Sequence, residues 1–283
     1  MTSISPIYAN KDIIGYVATE EDITEIRNID DVKTKFISIT SHQLKTPPTI
    51  IKFLSEILLS GKLGKLTKKQ KEYLNDIQSS NQRMIYLINA LLDVSRIEMG
   101  SFTVTVKKSD PNIIVQNIIS ELRPVIDKAQ LNLKTIFPEK KIVLLLDESL
   151  FSIIITNLIT NAINYTSEGG NILIECKVVN KGQTIGNKLL NKDYLVFIVS
   201  DTGCGIPLKQ QSQIFTKFFR ASNAILKHPD GTGLGLYTLK SILNHSGGLI
   251  WFTSRENEGS TFYVAIQMAG MKAKTDENDR NLP

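Results

Sequence analysis

The sequence predicts an α plus α/β protein: an antiparallel helical hairpin that pairs with a second copy as a four-helix bundle, then a mixed-sheet domain carrying a mobile lid. Three observations predict it. Two long segments, Phe36 to Leu58 and Leu74 to Leu91, repeat apolar residues at spacings of three and four, and the breaker Gly61-Lys62-Leu63-Gly64 separates them. After Gly100 the apolar period shortens to that of strands. Two glycine-rich turns, D-T-G-C-G at 201–205 and G-T-G-L-G at 231–235, then bracket a long polar segment.

Taken in order, Ile13 to Thr24 reads as a strand followed by an acidic turn, and Glu25 to Thr40 as helix. The opening is too short for a domain. Phe36, Thr40, Leu44, Pro47, Ile51, Leu54 and Leu58 form the seam of a first bundle helix. His42 stands two residues from both Thr40 and Leu44, about 200° around the helix from that seam, so its ring is expected to face solvent. The double proline Pro47-Pro48 follows it, where a helix loses amide donors and bends. Thr67 precedes a second helix with Leu74, Ile77, Asn81, Met84, Ile88 and Leu91 on its seam. Two helices cannot enclose a core, so a symmetric dimer completes the bundle.

Beyond Gly100, "FTVTV", "LNLKTIF" and "IVLLL" read as strands, with helices over Asn112 to Ala129 and from Glu148 to about Tyr165. "NILIECKVV" and "YLVFIVSD" then form a hairpin whose loop is Asn180 to Asp193, and "LIWFTS" and "STFYVAI" close a mixed sheet with helices on one face. The tail from Lys272 is charged and expected to be disordered. The expected divisions are 1–28, a linker; 29–100, the hairpin; 101–268, the sheet domain; and 269–283, the tail.

Composition narrows the function classes. The chain has 283 residues and a formal net charge of +5, but its lysines are scattered and no basic helix interleaves with aromatics, which argues against a nucleic-acid partner. No run of about 18 apolar residues and no signal-like start occurs. The chain is therefore expected to be cytoplasmic, with no direct membrane contact. The two cysteines, Cys176 and Cys204, lie far apart without metal-like spacing and read as reduced thiols.

Four motifs could carry chemistry. Strand "YLVFIVSD" ends at Asp201, where a carboxylate can accept from an exocyclic amine while Gly203 and Gly205 admit a flat ring; a tight turn with an Asp cap fits the same residues. "DGTGLGLYTLKSIL" opens a helix at about Leu234, and such a start offers amides and a positive dipole end to phosphate; it is equally a flexible capping loop. "NLITNAINYT" sets Asn157, Asn161 and Asn164 on one helix face, suited to ligating a hard cation or simply to water. Between the glycine turns, Pro207 to Pro229 reads as a lid with an apolar anchor in "IFTKFFR" and Arg220 available for a phosphate, or as a surface loop packed by phenylalanines.

In this order the pieces resemble the catalytic core of a bacterial sensor histidine kinase, over about residues 30 to 268. "SHQLKTP" resembles the phosphoacceptor box, "NLITNAINYT" the asparagine box, "DTGCGIP" and "GTGLGL" the glycine boxes and "IFTKFFRA" the phenylalanine box. The resemblance implies a dimeric hairpin followed by an ATP-binding α/β sandwich of the gyrase and heat-shock chaperone type. It implies that His42 accepts the γ-phosphoryl group and passes it to an aspartate of a response-regulator receiver domain. It implies Asn161 as Mg²⁺ ligand assisted by Asn157, with Asn164 and Tyr165 completing the asparagine box, and Asp201 reading the adenine amine. Gly203, Gly205 and Ile206 would line that pocket, Phe215 would anchor the lid, and Gly231, Thr232, Gly233, Leu234 and Gly235 would shape its phosphate side. Thr46 matches the position that orients water for dephosphorylating the partner, and Gln43 and Arg220 sit at catalytic positions of their boxes. The first thirty residues resemble the last strand and exit helix of a PAS sensor domain.

Two positions depart from the family pattern: Gln43 stands where a carboxylate is usual, and Asn164 where lysine is frequent. Gln43 leaves open a second class, a catalytically weak nucleotide-binding scaffold that signals through dimerisation. A gyrase- or chaperone-like ATPase is disfavoured, because the chain ends soon after the sheet without a transducer domain, and an anti-sigma serine kinase would lack the long hairpin.

Overall fold

The computed structural model describes residues 2–9, 12–20, 43–98, 104–229 and 231–272, which fall into two compact units, 1–101 and 102–283. In the first unit, β1 (Thr2–Ala9) and β2 (Asp12–Glu20) pair antiparallel from Thr2↔Glu20 to Ala9↔Asp12. β1 was not expected, because its serines and Pro6 obscure the alternation. In a two-stranded ribbon both strands are edges, so a proline's missing donor can face outward. β2 runs on to Glu20, into the stretch expected as a turn. The helix expected over Glu25 to Thr40, and His42 itself, lie outside the described residues.

Helix α1 spans 43–59 and continues through both prolines, and Gly61 and Gly64, with φ of 73° and 127°, turn the chain back. Thr67 and Gln70 then start α2 (Lys68–Glu98) with a reciprocal capping box: the Thr67 amide donates to Gln70 Oε1 at 2.8 Å, and the Gln70 amide to Thr67 Oγ1 at 3.2 Å. Pro48, Ser55, Asn81 and Leu92 are the buried residues of the described hairpin, and Asn81 Nδ2 donates to the Pro48 carbonyl at 2.8 Å. Of the expected seam, Leu44, Ile51, Leu54, Leu58, Ile77 and Met84 stay exposed in the single chain. Two cylinders touch along one line, so much of the apolar stripe stays uncovered among the described residues.

The second unit is built on a five-stranded sheet ordered β10-β11-β9-β6-β4, from β4 (Asn132–Ile136), β6 (Asn171–Val179), β9 (Tyr194–Asp201), β10 (Leu249–Arg255) and β11 (Gly259–Gln267). Only β4 and β6 run parallel, so the sheet is mixed as expected. Helices α3 (Pro111–Lys128), α4 (Glu148–Tyr165) and α6 (Gly235–Ser246) pack together, and α4 buries Phe151, Ile154, Ile155, Leu158 and Ile159. Phe151 meets Phe197 of β9 edge-on at 5.1 Å. The loop expected over Asn180 to Asp193 is itself a small hairpin, β7 (Thr184–Ile185) and β8 (Lys188–Leu189). Ile185 and Leu190 of that stretch join Trp251 and Tyr263 in a buried cluster, and the Trp251 indole donates to the Ile185 carbonyl at 3.3 Å.

Two other expectations are corrected. The strand expected at "FTVTV" forms later: β3 (Lys107–Ser109) pairs with β5 (Leu144–Leu146), while residues 104–106 are not in a strand. Asp147 explains the shift, for its Oδ1 caps α4 through the Leu150 amide at 3.1 Å and its Oδ2 takes the Thr105 amide at 2.8 Å. The tail expected to be disordered from 269 is docked at its start: Met271 is buried and donates to the Leu145 carbonyl, and Lys272 donates to that of Ser246. Residues from 273 lie outside the described ones.

Candidate functional site

The site starts where β9 ends. Asp201 Oδ1 accepts from the Gly203 amide at 2.8 Å and the Ser260 amide at 3.3 Å, while Oδ2 accepts no hydrogen bond among the described residues. Burial pushes this carboxyl up to about 6, against the two amides, which act to lower it. A carboxylate held by one oxygen, desolvated and open at the other, is an acceptor prepared for a donor brought from outside.

The following loop is pressed against the end of α4. The Cys204 amide donates to the Tyr165 carbonyl at 3.2 Å, and a Cβ on Gly203 would lie 2.5 Å from that oxygen. Gly205 has φ of 60°, and a Cβ there would overlap the Arg255 carbonyl. These glycines are thus required by the protein's own backbone. Ile206 is buried, its amide donating to Ser254 Oγ at 2.9 Å. Cys204 is half-buried and Cys176 buried; burial raises both thiols, and both are free.

On α4 the asparagines share one stripe: Asn157 and Asn161 are half-buried and Asn164 is exposed. Asn157 Nδ2 donates to the Ile153 carbonyl at 2.9 Å. Among the described residues no cluster of three or more histidines, cysteines or carboxylates could hold a metal, so a cation here would rest on amide oxygens and on its ligand's phosphates. The oxygen donor set fits Mg²⁺.

The segment expected as a lid carries a 3₁₀ turn at Leu208–Gln213 and α5 (Ser222–Lys227). Phe215 packs edge-on against Phe252 at 5.9 Å. Arg220, expected to reach a phosphate, instead donates to the carbonyls of Ala224, His228 and Pro229, and α5 ends on its guanidinium. Gly233, with φ of 70°, lies against the Phe218 backbone, and a Cβ on Gly231 would come within 2.9 Å of the Arg220 guanidinium. Helix α6 then starts at Gly235 behind buried Leu234 with no side-chain cap, while Thr232 Oγ1 accepts from the Leu234 amide. Sequence reasoning missed Lys217 and Lys240, which lie over the rings of Tyr237 and Phe215 at 5.2 and 5.3 Å. Lys217 stands inside "IFTKFFR", and its charge beside a glycine-rich helix start was the available signal. Gln43 and Thr46 are exposed on α1 in the first unit.

Residues 32–100 match the "His Kinase A (phospho-acceptor) domain" family, and residues 146–270 the "Histidine kinase-, DNA gyrase B-, and HSP90-like ATPase" family. Side by side, the two matches give the chain the catalytic core of a sensor histidine kinase. It is 33% identical over 83% of its length to the circadian input-output histidine kinase CikA of Synechococcus elongatus, and 30% identical over 90% to the sensor protein kinase WalK of Staphylococcus saprophyticus. It spans 30% and 40% of those two relatives. Among solved structures, full-length ShkA in complex with AMPPNP shares its fold with a TM-score of 0.64, at 22% identity, over 84% of this chain and 46% of that one. The histidine kinase AdeS of Acinetobacter baumannii gives 0.54 at 20% identity, over 80% and 98%. No helix among the described residues is long and apolar enough to cross a membrane.

Proposed function

We propose that this chain is an ATP-dependent protein-histidine kinase that phosphorylates His42 and passes the phosphoryl group to a response-regulator aspartate. The observation that carries this reading is Asp201, buried and anchored through Oδ1 with Oδ2 open, in a loop tied to the end of the asparagine helix through Tyr165. In this reading Asp201 accepts the adenine amine, Ile206 and Tyr165 flank the ring, and the uncapped start of α6 with Gly231 to Gly235 faces the phosphates. Asn161 and Asn157 hold Mg²⁺, which when bound supplies charge neutralisation of the phosphates. Arg220 serves first as the cap of α5.

A second copy covers the exposed stripe of Leu44, Ile51, Leu54 and Leu58 and completes the four-helix bundle. Gln43 orients the His42 ring, and Thr46, a turn further on, positions water for dephosphorylating the regulator. Residues 1–28 are read as PAS-like sensor sequence and its linker. The reaction is read as cytoplasmic, a reading supported by the two free cysteines and by the demand for ATP. Incubation with labelled ATP tests the assignment: the chain gains acid-labile phosphate, and His42→Ala loses it while keeping nucleotide affinity. Binding without labelling would favour the signalling scaffold that Gln43 leaves open, and phosphohistidine persisting in His42→Ala would move the acceptor to His228 or His245.

A further inference from the structure

Helix α5 has six residues, too few to hold a helical shape alone, so its contacts decide where it sits. Some of them lie within the lid. Gln210 Oε1 accepts from the Ser222 amide at 2.9 Å, and Arg220 takes the carbonyls at the far end. Three contacts leave the lid. Lys227 Nζ donates to Ser167 Oγ at 2.7 Å at an exposed position, and the His228 ring meets Tyr165 edge-on at 6.5 Å. The third is Asn223, whose Nδ2 donates to the Cys204 carbonyl at 3.1 Å and to the Gly205 carbonyl at 3.0 Å.

Those two carbonyls belong to the loop behind Asp201. The same loop gives the Gly203 amide to Asp201 and the Cys204 amide to Tyr165, and the Cys204 carbonyl also accepts from the Asn257 amide at 2.8 Å. Asn223 therefore spans two consecutive carbonyls whose positions depend on the carboxylate end of the loop. Its Oδ1 is buried and accepts nothing among the described residues, so the donors carry the contact. Chain spacing disguises this pair, because eighteen residues separate Asn223 from Gly205.

We propose that Asn223 is a positioning residue: its amide latches lid helix α5 onto the loop that reads the nucleotide ring, and so sets how long the nucleotide stays. This rests on the assignment of Asp201 to the nucleotide. The latch acts on the ring-reading loop, so its loss speeds nucleotide release and leaves the transfer step intact once the site is filled.

The test uses the full chain with Mg²⁺-ATP, measuring Kd by calorimetry, KM and kcat of autophosphorylation, and amide hydrogen exchange across 219–229. Asn223→Asp keeps the size but sets a carboxylate against two carbonyl oxygens; it should weaken ATP binding and raise KM about tenfold or more, with kcat within about twofold. Asn223→Ala should lose about fivefold in affinity, and Asn223→Gln, which keeps the donors, should recover part of that loss. Exchange should quicken in 222–228 and stay unchanged in β6 and β9. Wild-type affinity in Asn223→Asp, alongside weakened binding in Asp201→Asn, would overturn the latch and leave the nucleotide site standing. Wild-type affinity in both would overturn the nucleotide assignment itself. An equal fall of kcat in all three Asn223 variants at unchanged KM would also overturn the latch, because mere packing loss has that signature.

Discussion

Asp201→Asn should make the protein more stable and a worse nucleotide binder at the same time. Asparagine keeps the shape, and its Oδ1 can still accept from the amides of Gly203 and Ser260, which both bond a single oxygen in the parent. What changes is charge and the group at the open position. Burial raises the carboxyl from 3.8 to about 6, so the folded state favours the protonated form relative to the unfolded chain. With a raised folded-state value, the associated stability is present below about pH 4 and lost as pH rises through about 6. The shift of about two units corresponds to a cost of roughly 3 kcal/mol at pH 8 and about half of that at pH 5. Asparagine avoids this cost, and the gain should be about 1–3 kcal/mol at pH 8 and clearly less at pH 5. Urea unfolding followed by fluorescence reads it directly, because Trp251 is the single tryptophan and lies buried in the second unit. ATP affinity should fall by about 1–3 kcal/mol, since an amide donor now faces a donor. It should also lose the decline below pH 6 that protonation of Asp201 imposes on the parent. A stability difference of the same size at pH 5 and pH 8, or a variant less stable than the parent at pH 8, would refute this account of the carboxylate.

Three further outcomes are expected. Gly205→Ala should destabilise the second unit by about 2 kcal/mol or more, because a left-handed φ and overlap with the Arg255 carbonyl act together; an unchanged melting temperature would show that the loop can move away. Asn161→Ala should lower Mg²⁺-dependent autophosphorylation far more than Mg²⁺-free nucleotide binding, and full activity across a magnesium titration would remove it from the ligand set. Gln43→Glu should speed autophosphorylation at least several-fold at saturating Mg²⁺-ATP with little change in ATP affinity, a smaller effect than the roughly 10²–10⁴ of full general-base catalysis. A rate equal to or below the parent's across a pH series would show that glutamine already orients the ring sufficiently.

Much of the second unit was legible because its signals are local. The apolar period over Glu148 to Tyr165 gave α4 and its asparagine stripe, since residues three and four apart share a helix face whatever packs on it. The run "YLVFIVSD" set Asp201 at a strand end, and the glycines at 233 and 235 marked the start of α6. The hairpin seam was legible as a stripe, but periodicity names an apolar face without naming what covers it. In the single chain Ile51, Leu54 and Leu58 are open, and the polar pair Asn81 and Pro48 is closed.

Tertiary structure alone decided the rest. Asp147 moved the first strand to Lys107 by taking the Thr105 amide, a partner far along the chain. Trp251 and Tyr263 drew the loop after β6 into a hairpin, and Leu145 and Ser246 docked the segment ending at Lys272. Arg220 had a phosphate and three carbonyls as possible acceptors, and Asn223 had nothing nearby in sequence to bond. A side chain's donors go to whichever acceptors the fold brings within about 3 Å. Local pattern determines which residues are polar and which face they share, and only the folded chain determines which acceptors arrive there.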